Sequence, residues 1–169
     1  NVLVVDDNAV NRKVFVNLLK ETQINIDEAS GGVQCLGLVG IKKYDIIFLD
    51  HMMPEMDGIE TLHRIKELNQ NLCTDTPIIA LTANAISGAK EMYLSEGFDD
   101  FLSKPIIPEK LESMLAKYLP KNKVVETIIK KTQSQGVSGV IAELETHSEF
   151  NMEYARILNH KPEYLVEVF

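Results

Sequence analysis

The chain has 169 residues, 45% of them apolar and 25% charged, enough for one full globular domain and a smaller appendage. Its net charge of −8 is uneven: residues 1–120 hold 11 Lys+Arg against 18 Asp+Glu, while residues 121–169 hold 6 against 7. An acidic first domain lacks the basic footprint of direct nucleic-acid binding and suits cations better. There is no signal-peptide pattern and no apolar run near the ~20 residues of a membrane span, so no membrane contact is expected of this segment. Cys35 and Cys73 match no metal-ligand spacing and read as small apolar thiols in a reducing, cytoplasmic setting.

Strand and helix patterns alternate along residues 1–119. Val2–Val5 is a short β-branched run that opens the chain without an initiator methionine, which predicts a piece of a longer protein. A helical pattern follows, with Val10, Val14 and Leu18 on one stripe and Phe15 and Leu19 beside it. Ile24-Asn25-Ile26 alternates like a half-covered strand, and Gly31-Gly32 opens a second helix through Val33, Leu36 and Val39. Ile46–Leu49 and Ile78–Leu81 are continuous apolar runs, the mark of strands buried on both faces. Between them Ile59, Leu62, Ile65 and Leu68 form a helical stripe. Ile86, Ala89 and Tyr93 mark a fourth helix, Phe98–Leu102 a fifth strand, and Pro108 starts a last helix through Leu111, Leu115 and Tyr118. Five strands alternating with five helices predict an α/β domain built on a parallel sheet, its second and fifth strands at the edges.

In such a sheet, ligands bind beyond the carboxyl ends of the strands. The polar residues there are Asp6-Asp7 after strand one, Asp50 ending strand three, Thr82 ending strand four, and Ser103-Lys104-Pro105 after strand five. Three converging carboxylates repel one another, and without a counter-ion at least one must have a raised pKa. A hard divalent cation such as Mg²⁺ resolves the repulsion. A metal and a lysine around a carboxylate supply what phosphoryl transfer needs, which is mostly positioning and charge neutralisation. On this reading Asp50, on the middle strand, is the nucleophile and forms an acyl phosphate.

The stretches Leu3-Val4-Val5-Asp6-Asp7-Asn8, Leu49-Asp50-His51-Met52-Met53-Pro54-Glu55-Met56-Asp57-Gly58, Ile79-Ala80-Leu81-Thr82-Ala83-Asn84-Ala85 and Phe101-Leu102-Ser103-Lys104-Pro105 resemble, in order and spacing, the receiver domains of two-component signalling. The resemblance covers residues 1–119. It implies a flavodoxin-like, doubly wound sheet in the order 2-1-3-4-5, and Asp50 as acceptor of a phosphoryl group from a phosphohistidine-bearing kinase or phosphotransfer domain. It implies Mg²⁺ (or Mn²⁺) on Asp7, Asp50 and the Met52 carbonyl, with Asp6 acting mainly through a metal-bound water. Thr82 and Lys104 would contact phosphoryl oxygens, and Ala83 would leave room beside the incoming group. Phe101 would be the switch aromatic, and the Lys104–Pro105 peptide would be cis. Met52 and Asn84 occupy positions that tune the lifetime of the phosphorylated state. The fourth helix, fifth strand and fifth helix would form the partner surface, open also to dimerisation. The parent protein would be a hybrid sensor histidine kinase, anchored in a membrane or not.

Other residues of the motif have plainer readings. Asp57, followed by Gly58 and with Glu60 three residues on, starts a capping box for the third helix. Asn8 and Asn11 read as cap and turn residues of the first. Glu55 is solvated, and His51, on an exposed turn with no second histidine, is a bystander. Beyond Pro120, residues 120–140 read as a partly helical linker. Residues 141–169 hold two short helical patterns, a C-terminal extension that resembles the opening of a histidine-phosphotransfer domain, although neither His147 nor His160 has the sequence context of that family's acceptor. Two other classes stay open. A Mg²⁺-dependent aspartyl-phosphate phosphohydrolase would carry a second Asp two residues after the nucleophile, where this chain has Met52. A phosphorylation-independent interaction module would be favoured by loss of an acid, the threonine or the lysine, and all are present.

Overall fold

The computed structural model describes residues 1–83 and 88–121. The elements run β1 (Val2–Val5), α1 (Ala9–Leu18), β2 (Ile26–Ala29), α2 (Gly32–Ile41), β3 (Ile46–Asp50), α3 (Gly58–Glu67), β4 (Ile78–Thr82), α4 (Ala89–Glu96), β5 (Asp100–Ser103) and α5 (Pro108–Tyr118). All strand pairs are parallel and the order is β2-β1-β3-β4-β5. The three apolar runs β1, β3 and β4 are the interior strands, buried at every position, and β2 and β5 are the edges.

Because side chains alternate along a strand, each interior run feeds two cores. Leu3, Val5, Ile47, Leu49 and Ala80 face Cys35, Val39, Leu62, Ile65 and Tyr93 of α2, α3 and α4. Val2, Val4, Ile46, Phe48, Ile79 and Leu81 face Phe15, Leu19, Leu111 and Leu115 on the side of α1 and α5. The chain changes winding direction between β1 and β3, so the crevice at their carboxyl ends is the topological switch point.

Two edge strands lie further along the chain than their apolar residues suggest. β2 begins at Ile26 and continues through Asp27 and Glu28, because an edge strand tolerates acids that find surface partners. Lys42 and the Tyr44 hydroxyl both bond Asp27 at 2.6 Å, and Arg12 bonds Glu28 at 3.1 Å. β5 begins at Asp100 rather than Phe98, since Gly97, at φ 99°, first ends α4 in a left-handed turn. Asp57 does cap α3, accepting the Glu60 backbone N–H at 2.8 Å. The reciprocal half of the expected box is not made: the Glu60 side chain pairs with Arg64 one turn on. Asn84 and Ile86 lie outside the described residues, as do residues 122–169 with most of the expected linker and both helical patterns of the tail. Among the described residues, no helix is long and apolar enough to cross a membrane.

Candidate functional site

Pairing of Val5 with Leu49 brings the residues after β1 beside the end of β3. Asp6, Asp7 and Asp50 thereby each place a carboxylate oxygen within 4.8 Å of the others. Asp6 and Asp50 are buried, at 1% and 4% exposure, and Asp7 is exposed. Two sunken carboxylates and one open to solvent form an all-oxygen donor set suited to a hard cation that keeps part of its water.

Lys104 reaches this cluster from the turn after β5, where the Lys104–Pro105 peptide is cis. Its ammonium lies 2.7 Å from Asp6 Oδ2 and 2.8 Å from Asp50 Oδ2, while its backbone N–H donates to the Thr82 carbonyl at 2.7 Å. Burial pushes the Asp50 carboxyl above its ordinary value and the charge of Asp6 adds to the rise, while bonds from Lys104 and the Met52 backbone N–H oppose it. For Lys104, burial favours the neutral amine, but the bonds to Asp50 and Asp6 outweigh it and hold the pKa above its usual value. The site is therefore a buried ion triad in which one cation serves two acids.

The backbone bearing these acids is fixed by residues whose bonds to the acids sequence patterns do not display, although the cap role of Asn8 was legible. Asn8 caps α1, accepting the Val10 N–H at 2.8 Å, and its own N–H donates to Asp6 Oδ1 at 2.9 Å. The Asn11 amide reaches both Asp6 oxygens, at 3.2 and 3.1 Å, so it serves the site as well as the turn. Arg12 donates to the carbonyls of Asp6 (2.7 Å) and Asp7 (3.2 Å) while its other face holds Glu28. Gly58 packs against β3 so closely that a Cβ there would stand 2.3 Å from the Asp50 carbonyl oxygen. Its N–H donates to the His51 carbonyl at 2.8 Å, closing the turn after the acid. The DG pair signalled the start of a helix; the contact that demands glycine is tertiary and carries no local signature.

Thr82 is buried at the end of β4, one residue beyond Leu81, which pairs with Asp50 on β3, and Ala83 follows it on the surface. Phe101 on β5 is half-buried and stacks on Tyr93 of α4, with ring centroids 6.2 Å apart. The Met52 side chain is exposed, as are Asp57 and Glu55, the last at φ 65° in the turn after Pro54. His51 departs from expectation. It is partly buried rather than on an exposed turn, and its Nδ1 lies 2.7 Å from the Tyr93 hydroxyl.

Residues 2–116 match the family model described as the response regulator receiver domain. The chain belongs to the response regulator receiver family. This receiver is 37% identical over 136 residues to hybrid signal transduction histidine kinase I of Dictyostelium discoideum, covering 75% of this chain and 8% of that protein. It is 34% identical over 128 residues to the histidine-protein kinase BarA of Escherichia coli K12, covering 76% of this chain and 14% of that protein. The chain thus spans a small fraction of the length of these relatives. Among solved structures, the receiver is similar to that of the sensor kinase PA1611 of Pseudomonas aeruginosa PAO1, with a TM-score of 0.62 and 32% identity over 69% of this chain and 94% of that one. That structure has a magnesium ion coordinated in its active-site cleft. The receiver also resembles the chemotaxis protein CheY4 of Vibrio cholerae, with a TM-score of 0.63 and 29% identity over 70% of this chain and 97% of that one.

Proposed function

We propose that this receiver accepts a phosphoryl group on Asp50 from a phosphohistidine and passes the signal on by a change of conformation. The observation that carries the reading is the junction of Asp6, Asp7 and Asp50 with the single ammonium of Lys104 at the switch point of the sheet. Asp50 is the acceptor because it ends the central strand and is buried at 4% exposure within the acidic cluster. Its carboxylate oxygen forms a bond to phosphorus as the donor's P–N bond breaks, the electron pair returning to the imidazole. Asp7, Asp50 and the Met52 carbonyl, with Asp6 behind a water, would hold Mg²⁺ or Mn²⁺, which when bound neutralises charge on the transferring group. Lys104 turns from the acids toward a phosphoryl oxygen, and the Thr82 hydroxyl donates to another. Ala83 leaves room beside the incoming group, while Met52 and Asn84 occupy the positions that tune the lifetime of the acyl phosphate. Phe101 reports the change to the face of α4, β5 and α5, which meets partners or a second copy.

The hybrid-kinase relatives support a donor that is a histidine kinase or phosphotransfer domain, and a parent protein of that kind. Incubating the chain with Mg²⁺ and acetyl phosphate tests the reading. One base-labile phosphoryl group per molecule is expected, absent without the metal. An unmodified chain would point instead to a phosphorylation-independent module, and rapid turnover of unrelated phosphate esters to a hydrolase.

A further inference from the structure

His51 follows the acceptor directly, and its backbone is pinned on both sides: its N–H donates to the Leu81 carbonyl at 3.0 Å and its carbonyl accepts from Gly58. Its side chain therefore leaves a rigid base and meets α4, with Nδ1 2.7 Å from the Tyr93 hydroxyl and the rings edge-on at 5.4 Å. Tyr93 is the aromatic hub of that helix. It is 2% exposed, stands edge-on to Phe98 at 5.6 Å and stacks on Phe101 at 6.2 Å. A continuous path of contacts runs from the acceptor's neighbour through one hydrogen bond to the strand and helix of the partner face. At the other end of α4, Lys66 of α3 bonds the Gly97 carbonyl at 2.7 Å and His63 bonds Glu96 at 3.3 Å.

We propose that the His51–Tyr93 hydrogen bond is a latch: it is made while Asp50 is unmodified, as in this structure, and is released when Asp50 carries a phosphoryl group. His51 and Tyr93 are positioning residues in this scheme, and the proposal rests on the phosphoacceptor reading of Asp50. A contact present in one of two states and lost in the other biases the equilibrium toward the first, and by linkage it must also oppose the modification that breaks it. The latch thus keeps α4 and the Phe101 face in the resting arrangement and slows phosphorylation by small donors.

Tyr93→Phe removes the hydroxyl and keeps the ring in the core; His51→Ala removes the other partner from the half-buried side. In each variant we expect amide exchange in residues 89–96 of the unmodified protein to quicken by about fivefold, the weight of one hydrogen bond. Phosphorylation by acetyl phosphate should quicken by a similar factor, with the double variant no faster than either single one. A merely structural contact would raise exchange and leave the phosphorylation rate unchanged, which overturns the latch and spares the acceptor reading. Additive effects in the double variant would also overturn it. Failure of the wild-type chain to take up phosphate would instead remove the acceptor reading, and the latch with it.

Discussion

The ammonium of Lys104 stands 2.8 Å from the carboxylate of Asp50 and, with Asp6 at 2.7 Å, balances two buried acids with one positive charge. Any incoming cation competes with it for the same oxygens, and any incoming phosphoryl group competes with those oxygens for it. The resting site is an ion triad that the proposed reaction would take apart and reassemble.

Replacing Lys104 by Met should separate these effects. Without metal, two buried carboxylates lose their counter-charge, and stability at pH 7 should fall by about 3 kcal/mol, as for other broken buried pairs. Mg²⁺ should bind more tightly, because its rival is gone, and phosphorylation should be lost. Urea unfolding with and without Mg²⁺ measures the first two together; a variant as stable as wild type and with unchanged metal affinity would contradict the geometry.

Acidity should weaken metal binding earlier than it does at an ordinary carboxylate site. Burial holds the Asp50 pKa above the ordinary 3.8, and a protonated Asp50 cannot ligate. Mg²⁺ affinity measured by calorimetry should begin to fall while pH is still above that value. The metal-free fold has the opposite sign: a raised folded pKa contributes stability at low pH that is lost as pH rises through it. The gain in stability from Asp50→Asn should therefore grow from acid toward neutral pH in the absence of Mg²⁺. A gain that did not change with pH would show that the Asp50 carboxyl is not perturbed.

Gly58→Ala would drive a methyl group to 2.3 Å from the Asp50 carbonyl oxygen, a backbone atom in a paired central strand that cannot swing aside. A loss of about 3 kcal/mol is expected, at the upper end for overpacking, with weaker Mg²⁺ binding as the end of β3 shifts. Thermal melts of wild type and variant at several Mg²⁺ concentrations would check both. Retained stability would mean that α3 docks less tightly than the structure shows.

Asp27 probes the edge of the sheet. Bonds from Lys42 and the Tyr44 hydroxyl hold its pKa below 3.8. Its stabilisation is thus present above the ordinary value and is lost as pH falls through the depressed one. Asp27→Asn should cost about 1 kcal/mol at pH 7, discounted for a half-exposed pair, and nothing once the wild-type acid is protonated. Denaturant titrations at neutral and acid pH give the comparison, and a pH-independent difference would refute the assignment.

The interior of the fold was legible because β1, β3 and β4 are unbroken apolar runs, and the rim was legible because polar residues end them in a family-specific order. Both edge strands start two residues later than their apolar residues suggest: in β2, Asp27 and Glu28 owe their strand positions to Lys42, Tyr44 and Arg12, and in β5 the Gly97 turn comes first. Of the supporting shell, the cap and turn roles of Asn8 and Asn11 were visible, but not their bonds to Asp6. Arg12 gripping carbonyls five and six residues back, and His51 bonding Tyr93 42 residues on, are contacts that no periodicity encodes.

The central claim is that Asp50 is the acceptor, and reductive trapping tests it most directly. After Mg²⁺ and acetyl phosphate, borohydride converts an acyl phosphate to an alcohol, turning the modified Asp into homoserine that peptide mass spectrometry locates. Homoserine at position 50, and none anywhere in Asp50→Asn, is the predicted result. Homoserine at position 6 or 7, or a trapped product that survives Asp50→Asn, would contradict the account.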